Sequence, residues 1–213
     1  MISYILFDLD NTLYPESSPL GRELSRRINK YAADFIGVSE EEALRLRRAE
    51  TKQYGTTMRW LAQQYGLTDL NHYIESVHPL NVGDFIQKDE ELKLFLHGLT
   101  LPMSVLTNSP ASHARRVLEY LEIEDCFERV FDLNYSSFRG KPHRETYESV
   151  LAAIDRSPAE AMFVDDVPSY LLGYREIGGV AVLVDETGTK IMDDPEVLRV
   201  RKVTEIARLL DAA

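Results

Sequence analysis

The first nine residues run apolar almost without interruption. From Ile2 to Leu9 the chain is rich in Ile, Tyr and Phe, and it stops abruptly at Asp8-Leu9-Asp10-Asn11-Thr12. Apolar residues at consecutive positions predict a strand buried on both faces of a parallel sheet. From about residue 15 to about residue 85 the period changes. Leu20, Leu24, Ile28, Tyr31 and Phe35 recur at three- and four-residue spacing, as on one face of a helix. Three more short helices are predicted around Ala43 and Leu44, around Met58, Leu61, Ala62 and Tyr65, and around Tyr73, Ile74 and Val77. Gly37, Gly55 and Gly66 punctuate them, and no strand-like run interrupts.

From about Asp89 strands and helices alternate. Leu92, Phe95, Leu96 and Leu99 form a helix face, and Met103 to Leu106 a strand ending at Thr107-Asn108-Ser109-Pro110. Ser109 as N-cap and Pro110 at the first helical position are expected to open the next helix, with Ala114, Val117, Leu118 and Leu121 inward. Val130-Phe131 is a weak strand, and a helix follows Pro142. Ser157-Pro158-Ala159-Glu160 is a capping-box pattern for a short turn. Met162 to Val164 is a strand stopping at Asp165-Asp166. A helix with Leu171, Leu172 and Ile177 ends at Gly178-Gly179, and Val180 to Val184 is the last strand. The expected fold is α/β: a doubly wound parallel (Rossmann-like) sheet with an inserted all-α domain. The expected boundaries are 1–14 and 86–213 for the core, and 15–85 for the helical insertion.

Sheets of this kind bind ligands at the carboxyl ends of their strands. Asp8 and Asp10, Thr107 and Asn108, and Asp165 and Asp166 all fall at such ends, so residues distant in sequence should converge there. Each piece alone has a bland reading as a strand end, helix cap or solvated charge. Together they place four carboxylates at one edge, where mutual repulsion makes ionisation costly without a counter-charge. A divalent cation resolves that conflict, and carboxylate oxygens are the ligands magnesium prefers. Four carboxylates, a hydroxyl, an amide and Lys141 make a phosphoryl-transfer inventory.

Composition narrows the field further. The net charge is −11, from 24 basic and 35 acidic residues among 213, which disfavours a nucleic-acid polymer or an anionic membrane as partner. The single cysteine, Cys126, cannot form an intramolecular disulfide, and a reducing cytoplasm is expected. The N-terminus lacks the basic region of a signal peptide. No apolar run approaches the roughly 18 residues of a membrane span.

The motifs, in their order, resemble those of the haloacid dehalogenase-like (HAD) hydrolase superfamily. Asp8-Leu9-Asp10-Asn11-Thr12-Leu13 resembles the first, Leu106-Thr107-Asn108 the second, Gly140-Lys141-Pro142 the third and Phe163-Val164-Asp165-Asp166 the fourth. The resemblance implies that Asp8 is a nucleophile forming an aspartyl-phosphate, with Asp10 as general acid and then base. It implies Mg2+ held by Asp8, the Asp10 carbonyl and Asp166, with Asp165 behind or bound through water. It also implies phosphate contacts from Thr107, Asn108 and Lys141, Lys141 neutralising both nucleophile and phosphoryl group. Dehalogenases of the family lack the second aspartate of the first motif, so Asp10 favours phosphate chemistry.

The insertion resembles the family's helical cap, which would close over the site, with Tyr14-Pro15 as hinge. Phe7 to Pro15, Thr107 to Pro110, and His113-Ala114 resemble the pyrimidine 5′-nucleotidase-like subgroup and imply a substrate such as UMP or CMP. One departure stands out: Tyr170 occupies the position, four residues after Asp166, where these relatives often have Asn.

Bland readings are preferred elsewhere. His72 and His78 are not a metal pair, Trp60 belongs to the helical core, and Arg45, Arg47 and Arg48 form a solvated face. Sugar phosphates, phosphoglycolate or a phosphomutase reaction are alternatives on the same core. A phospho-aspartate signalling module or a non-catalytic binding protein is the alternative of another class. Receiver domains, however, put the acidic pair first and the acceptor later, the reverse of the order here.

Overall fold

The computed structural model describes residues 1–210. It falls into two compact units, Met1–Ser18 with the chain from Gln87 onward, and Pro19–Ile86.

The second unit contains four helices, α1 (Pro19–Ile36), α2 (Glu40–Tyr54), α3 (Thr57–Tyr65) and α4 (Leu70–Val77). Its core is aromatic and aliphatic. Leu20, Leu61 and Val77 are buried, and Trp60 meets Tyr65 edge-on at 5.4 Å. Thr56 caps α3 through the Arg59 N–H, and Gly66 ends it in the left-handed conformation. Phe35, expected inward on α1, is 40% exposed, and Asn29 is buried in its stead. Asn29 is inside because its amide donates to the Glu40 carbonyl at 2.8 Å, tying α1 to the start of α2.

The first unit contains α5 (Glu90–Gly98), α6 (Ala111–Leu121), α7 (Arg144–Ala153), α8 (Pro168–Arg175) and α9 (Ala207–Leu210) around a parallel sheet. Its strands are β1 (Tyr4–Phe7), β2 (Met103–Leu106), β3 (Val130–Phe131), β4 (Ala161–Asp165), β5 (Val180–Val184) and β6 (Leu198–Val200), in the order β3-β2-β1-β4-β5-β6. Alternation across β1 shows why its sequence is apolar at every position. Tyr4 and Leu6 pack with Tyr147, Val150, Leu171 and Tyr174 of α7 and α8, while Ile5 and Phe7, on the other face, are equally buried. Truncating a side chain as enclosed as Leu6 to alanine costs about 2–5 kcal/mol.

Three local expectations need correction. The boundary between the units lies at Ser18, not residue 14, because the intervening turn is bonded to the sheet unit: Ser17 donates its N–H and hydroxyl to Glu186 at 3.0 and 2.6 Å. Helix α6 begins at Ala111 with Pro110 before it, and Ser109 does not cap it; the Asp132 carboxylate accepts the Ala111 N–H at 2.9 Å. A sixth strand, β6, was missed because it is only three residues long at the sheet edge, with Leu198 38% exposed. Near the C-terminus, Val203 and Ile206 are buried on a short turn against α5, whereas Ala207 is exposed.

Candidate active site

The topology places β1 between β2 and β4, all running the same way, so their carboxyl ends meet at one edge. Asp8 follows the last residue of β1, and its N–H donates to Val164 of β4 at 2.8 Å. After Asp10 the chain reverses through Asn11 in the left-handed region (φ 61°), which asparagine tolerates better than most residues. That turn brings the Thr12 hydroxyl back onto the Asp8 carboxylate at 3.2 Å.

Lys141 is the centre of the cluster. Its side chain is wholly buried, and its ammonium donates to Asp8 Oδ1 and Asp165 Oδ2, both at 2.6 Å. The rings of Phe163 and Tyr170 lie 5.2 and 5.0 Å from the same nitrogen. Burial opposes the charge, but the two carboxylates more than offset it and hold the ammonium above the ordinary lysine range.

The backbone of Lys141 is fixed as firmly. Its N–H donates to Asn108 Oδ1 at 2.7 Å, and its carbonyl accepts from Asn108 Nδ2 at 3.0 Å. This closeness dictates the preceding residue. Gly140 has φ +68°, and a Cβ there would stand 2.4 Å from Asn108 Oδ1, so only glycine fits. Asn108, expected beside a phosphoryl group, thus uses both its amide oxygen and its amide nitrogen to hold the Lys141 backbone. Thr107 is buried, and its oxygen accepts the Ser109 N–H at 2.9 Å, leaving the hydroxyl proton to donate elsewhere.

Asp10 is held by three donors. Tyr14 Oη and His113 Nε2 approach Oδ1 at 2.7 and 2.8 Å, and Ser109 Oγ approaches Oδ2 at 2.5 Å. Burial works against the anion, but His113, Ser109 and Tyr14 together pull the Asp10 carboxyl well below the usual range. Tyr14, expected as a hinge, is a buried member of this network. His113 is wholly buried on the inner face of α6.

Asp8, Asp165 and Asp166 present carboxylate oxygens within 4.8 Å of one another. Burial raises Asp8 well above the usual carboxylate range; Lys141 opposes this, and the charges of Asp165, Asp166 and Asp10 add to it. Asp166 is pushed up to about 6 by burial and by Asp165. Such a set has more negative charge than its lysines neutralise, and a divalent cation would relieve the excess. The donors therefore fit magnesium, which binds hard oxygen ligands. Within the trio the roles differ. Asp165 accepts Lys141 on Oδ2 and the Val167 N–H on Oδ1, at 2.6 and 2.7 Å, whereas Asp166 accepts Lys190 on Oδ2 at 2.8 Å.

Lys190, Ser109 and Tyr14 were not singled out from the sequence as site residues. No motif marks Lys190, which comes from the loop after β5; only a fold that ends β5 beside β4 brings it to Asp166. The bland readings fare differently from one another. Trp60 is core, His72 Nδ1 pairs with Tyr31 Oη at 3.1 Å, and His78 Nδ1 with the Ile74 carbonyl at 2.8 Å. Arg47 is not a solvated charge. Its guanidinium reaches Thr57 Oγ1 at 3.2 Å and the Ser25 carbonyl at 3.2 Å, inside the helical unit.

Solved structures share this fold from end to end. A HAD phosphatase from Thermococcus onnurineus matches with a TM-score of 0.68 at 19% identity, covering 99% of this chain and 98% of that one. A 2-haloacid dehalogenase from Pseudomonas syringae pv. Tomato DC3000 matches with a TM-score of 0.66 at 19% identity, covering 100% and 99%. Among curated relatives, phosphate metabolism protein 8 of Saccharomyces cerevisiae is 27% identical over 176 residues, 75% of this chain and 54% of that protein. Sesquiterpene phosphatase astK of Aspergillus oryzae is 34% identical over 95 residues, 44% of this chain and 48% of that protein. The chain thus spans about half the length of the curated relatives it matches. The model of the haloacid dehalogenase-like hydrolases matches residues 2–169. With the four motifs gathered at one sheet edge, the chain belongs to the haloacid dehalogenase-like hydrolase family.

Proposed function

We propose that this protein is a magnesium-dependent phosphomonoester hydrolase that works through an aspartyl-phosphate on Asp8. The observation that carries the reading is the wholly buried Lys141 ammonium bridging Asp8 and Asp165, with Asp10 fixed two residues from Asp8. An anionic nucleophile approaching an anionic ester needs local positive charge, and Lys141 supplies it at the nucleophile itself. Among solved neighbours, both a phosphatase and dehalogenases share the fold, so the fold does not choose between them. Asp10 does, because phosphoryl transfer needs an acid for the leaving oxygen and a base for water. Two of the similar proteins bear names that speak of phosphatase activity, which agrees.

In the first step the Asp8 carboxylate attacks phosphorus and the ester P–O bond breaks; the leaving oxygen takes a proton from Asp10, which must first be loaded with that proton, because its three donors hold it ionised in the free site. In the second, Asp10 takes a proton from water, the water oxygen attacks phosphorus, and inorganic phosphate leaves as the Asp8 carboxylate is restored. Thr107 donates its spare hydroxyl proton to a phosphoryl oxygen. Magnesium, held by Asp8, the Asp10 carbonyl and Asp166, with Asp165 supporting, would neutralise phosphoryl charge.

The substrate is a small phosphate ester, and a pyrimidine nucleoside 5′-monophosphate is the first to try, on the strength of the His113-bearing motif. The net charge of −11 argues for a small ligand met by local cations over a nucleic-acid polymer or a membrane surface. No helix among the described residues is long and apolar enough to cross a membrane.

The test is phosphate release from UMP, CMP, AMP, phosphoglycolate and glucose phosphates with magnesium present. Selective turnover of UMP and CMP is expected. Turnover of the other esters alone discards the nucleotide reading and keeps the phosphatase. No phosphate release from any ester, in folded protein, overturns the hydrolase reading.

A further inference from the structure

The Lys190 ammonium closes a cage of three oxygens. It donates to the Asp166 carbonyl at 2.7 Å, to Asp166 Oδ2 at 2.8 Å, and stands 3.0 Å from Glu16 Oε2. Its side chain is 14% exposed, and that of Asp166 8%. The loop that presents it is itself held in shape. Asp185, wholly buried, accepts the N–H groups of Gly188, Thr189 and Lys190 at 2.7, 3.1 and 3.3 Å, and Arg199 pairs with it at 2.6 Å.

The carboxylates at this edge divide their counter-charges. Lys141 donates to Asp8 and Asp165, and Asp10 is held by Tyr14, Ser109 and His113. Asp166 receives Lys190. Tyr170, four residues after Asp166, lies under Lys141, with its ring centre 5.0 Å from the ammonium, while the Asp166 carboxylate takes Lys190.

We propose that Lys190 is a built-in counter-ion of the carboxylate cluster, stabilising the site before a divalent cation binds and thereby weakening the grip on that cation. The argument is one of linkage. Whatever stabilises the unloaded site more than the loaded one lowers affinity by the same amount. An ammonium sharing Asp166 with a divalent ion repels it, and even under strong screening that repulsion shifts affinity by roughly tenfold or more. A lysine that served only to orient Asp166 would act with the opposite sign, because its loss would cost affinity. The inference rests on the magnesium reading above.

The experiment is calorimetric titration of the full chain with Mg2+, for wild type, Lys190→Met, Lys190→Arg and Glu16→Gln, alongside melting temperatures in EDTA and in saturating Mg2+. Lys190→Met is expected to bind Mg2+ roughly tenfold more tightly. Its chelated form should melt lower than wild type, and saturating Mg2+ should close most of that gap. Lys190→Arg and Glu16→Gln both keep the cation at Asp166 and should stay within about threefold of wild type, under 1 kcal/mol. If Lys190→Met folds only when loaded, competition against EDTA from the loaded protein reads the same affinity. Equal or weaker Mg2+ binding by Lys190→Met overturns the role of Lys190. A folded wild type that binds no Mg2+ overturns the magnesium reading and this inference with it, so the two failures are distinguishable.

Discussion

The helical unit and the strand ends of the sheet unit handle charge in opposite ways. Among the described residues of the helical unit the ion pairs are local and lie at the surface: Glu23, half-buried, with Arg26 and Arg27 at 2.8 and 2.7 Å, Lys30 with Asp34 at 2.9 Å, and Glu42 with Arg45 at 2.6 Å, all within one helical turn. In the sheet unit the central pair joins residues 133 apart, Asp8 and Lys141, and both are buried. Local exposed pairs are screened by water and contribute little. Buried pairs are held by the fold and strain it if either partner is lost. The lesson is that charge in the helical unit serves its surface, whereas charge at the sheet edge is concentrated at a cost only a function explains.

The most severe way to break that comparison is at the nucleophile. Asp8→Asn should abolish phosphate release while circular dichroism stays native, and turnover near wild type would sink the mechanism. Next in size is Lys141→Ala, which leaves Asp8 and Asp165 buried with no cation between them. We expect about 3–5 kcal/mol of lost stability in urea. In whatever folds, a loss of roughly 10²-fold or more in kcat should follow. EDTA should likewise remove activity, and Mg2+ should restore it; full activity after exhaustive chelation would contradict the metal assignment.

Gly140→Ala tests the backbone behind the lysine. Its Cβ would displace Asn108, so kcat should fall with a smaller loss of stability than for Lys141→Ala; an unchanged kcat would show that the Asn108 clamp is dispensable.

Asp185→Asn should have a milder, pH-dependent effect. Burial disfavours the Asp185 anion, but the N–H groups of Gly188, Lys190 and Thr189 and the charge of Arg199 hold its carboxyl below the usual range. A group lowered by folding stabilises above its unfolded value and loses that contribution as pH falls through its folded one. The melting temperature of the variant should therefore trail wild type at neutral pH and converge with it below about pH 4. A gap that does not narrow in acid refutes the assignment. The smallest effect belongs to the helical unit: Arg45→Ala, removing one exposed pair, should leave the melting curve unmoved, and a large shift would break the contrast between the units.

The sheet unit was legible because its strands are apolar at consecutive positions and end in acid. Asp8, Asp165 and Asp166 could be brought together by the rule that parallel strands gather their carboxyl ends, and Lys141 by the motif it stands in. Asn108 stands out in its motif, but nothing in Thr107-Asn108 says that its amide also clamps the Lys141 backbone. Arg47, an arginine amid glutamates, has the sequence surroundings of a solvated charge; only the packing of α1 and α3 against α2 puts Ser25 and Thr57 beside it.

By itself, then, the sequence determined the alternation of elements, the inserted helical stretch and the carboxylate-lysine inventory. Each of these is written in the period or type of nearby residues. Only the tertiary structure decided the partners: Ser109, Tyr14 and His113 on Asp10, Asn108 on the Lys141 backbone, Lys190 on Asp166. These contacts join loops that follow different strands, and their geometry depends on how the sheet aligns strand ends. Local periodicity carries no information about that alignment, because hydrogen bonds and charge pairs act over a few ångströms in space, whatever the distance along the chain.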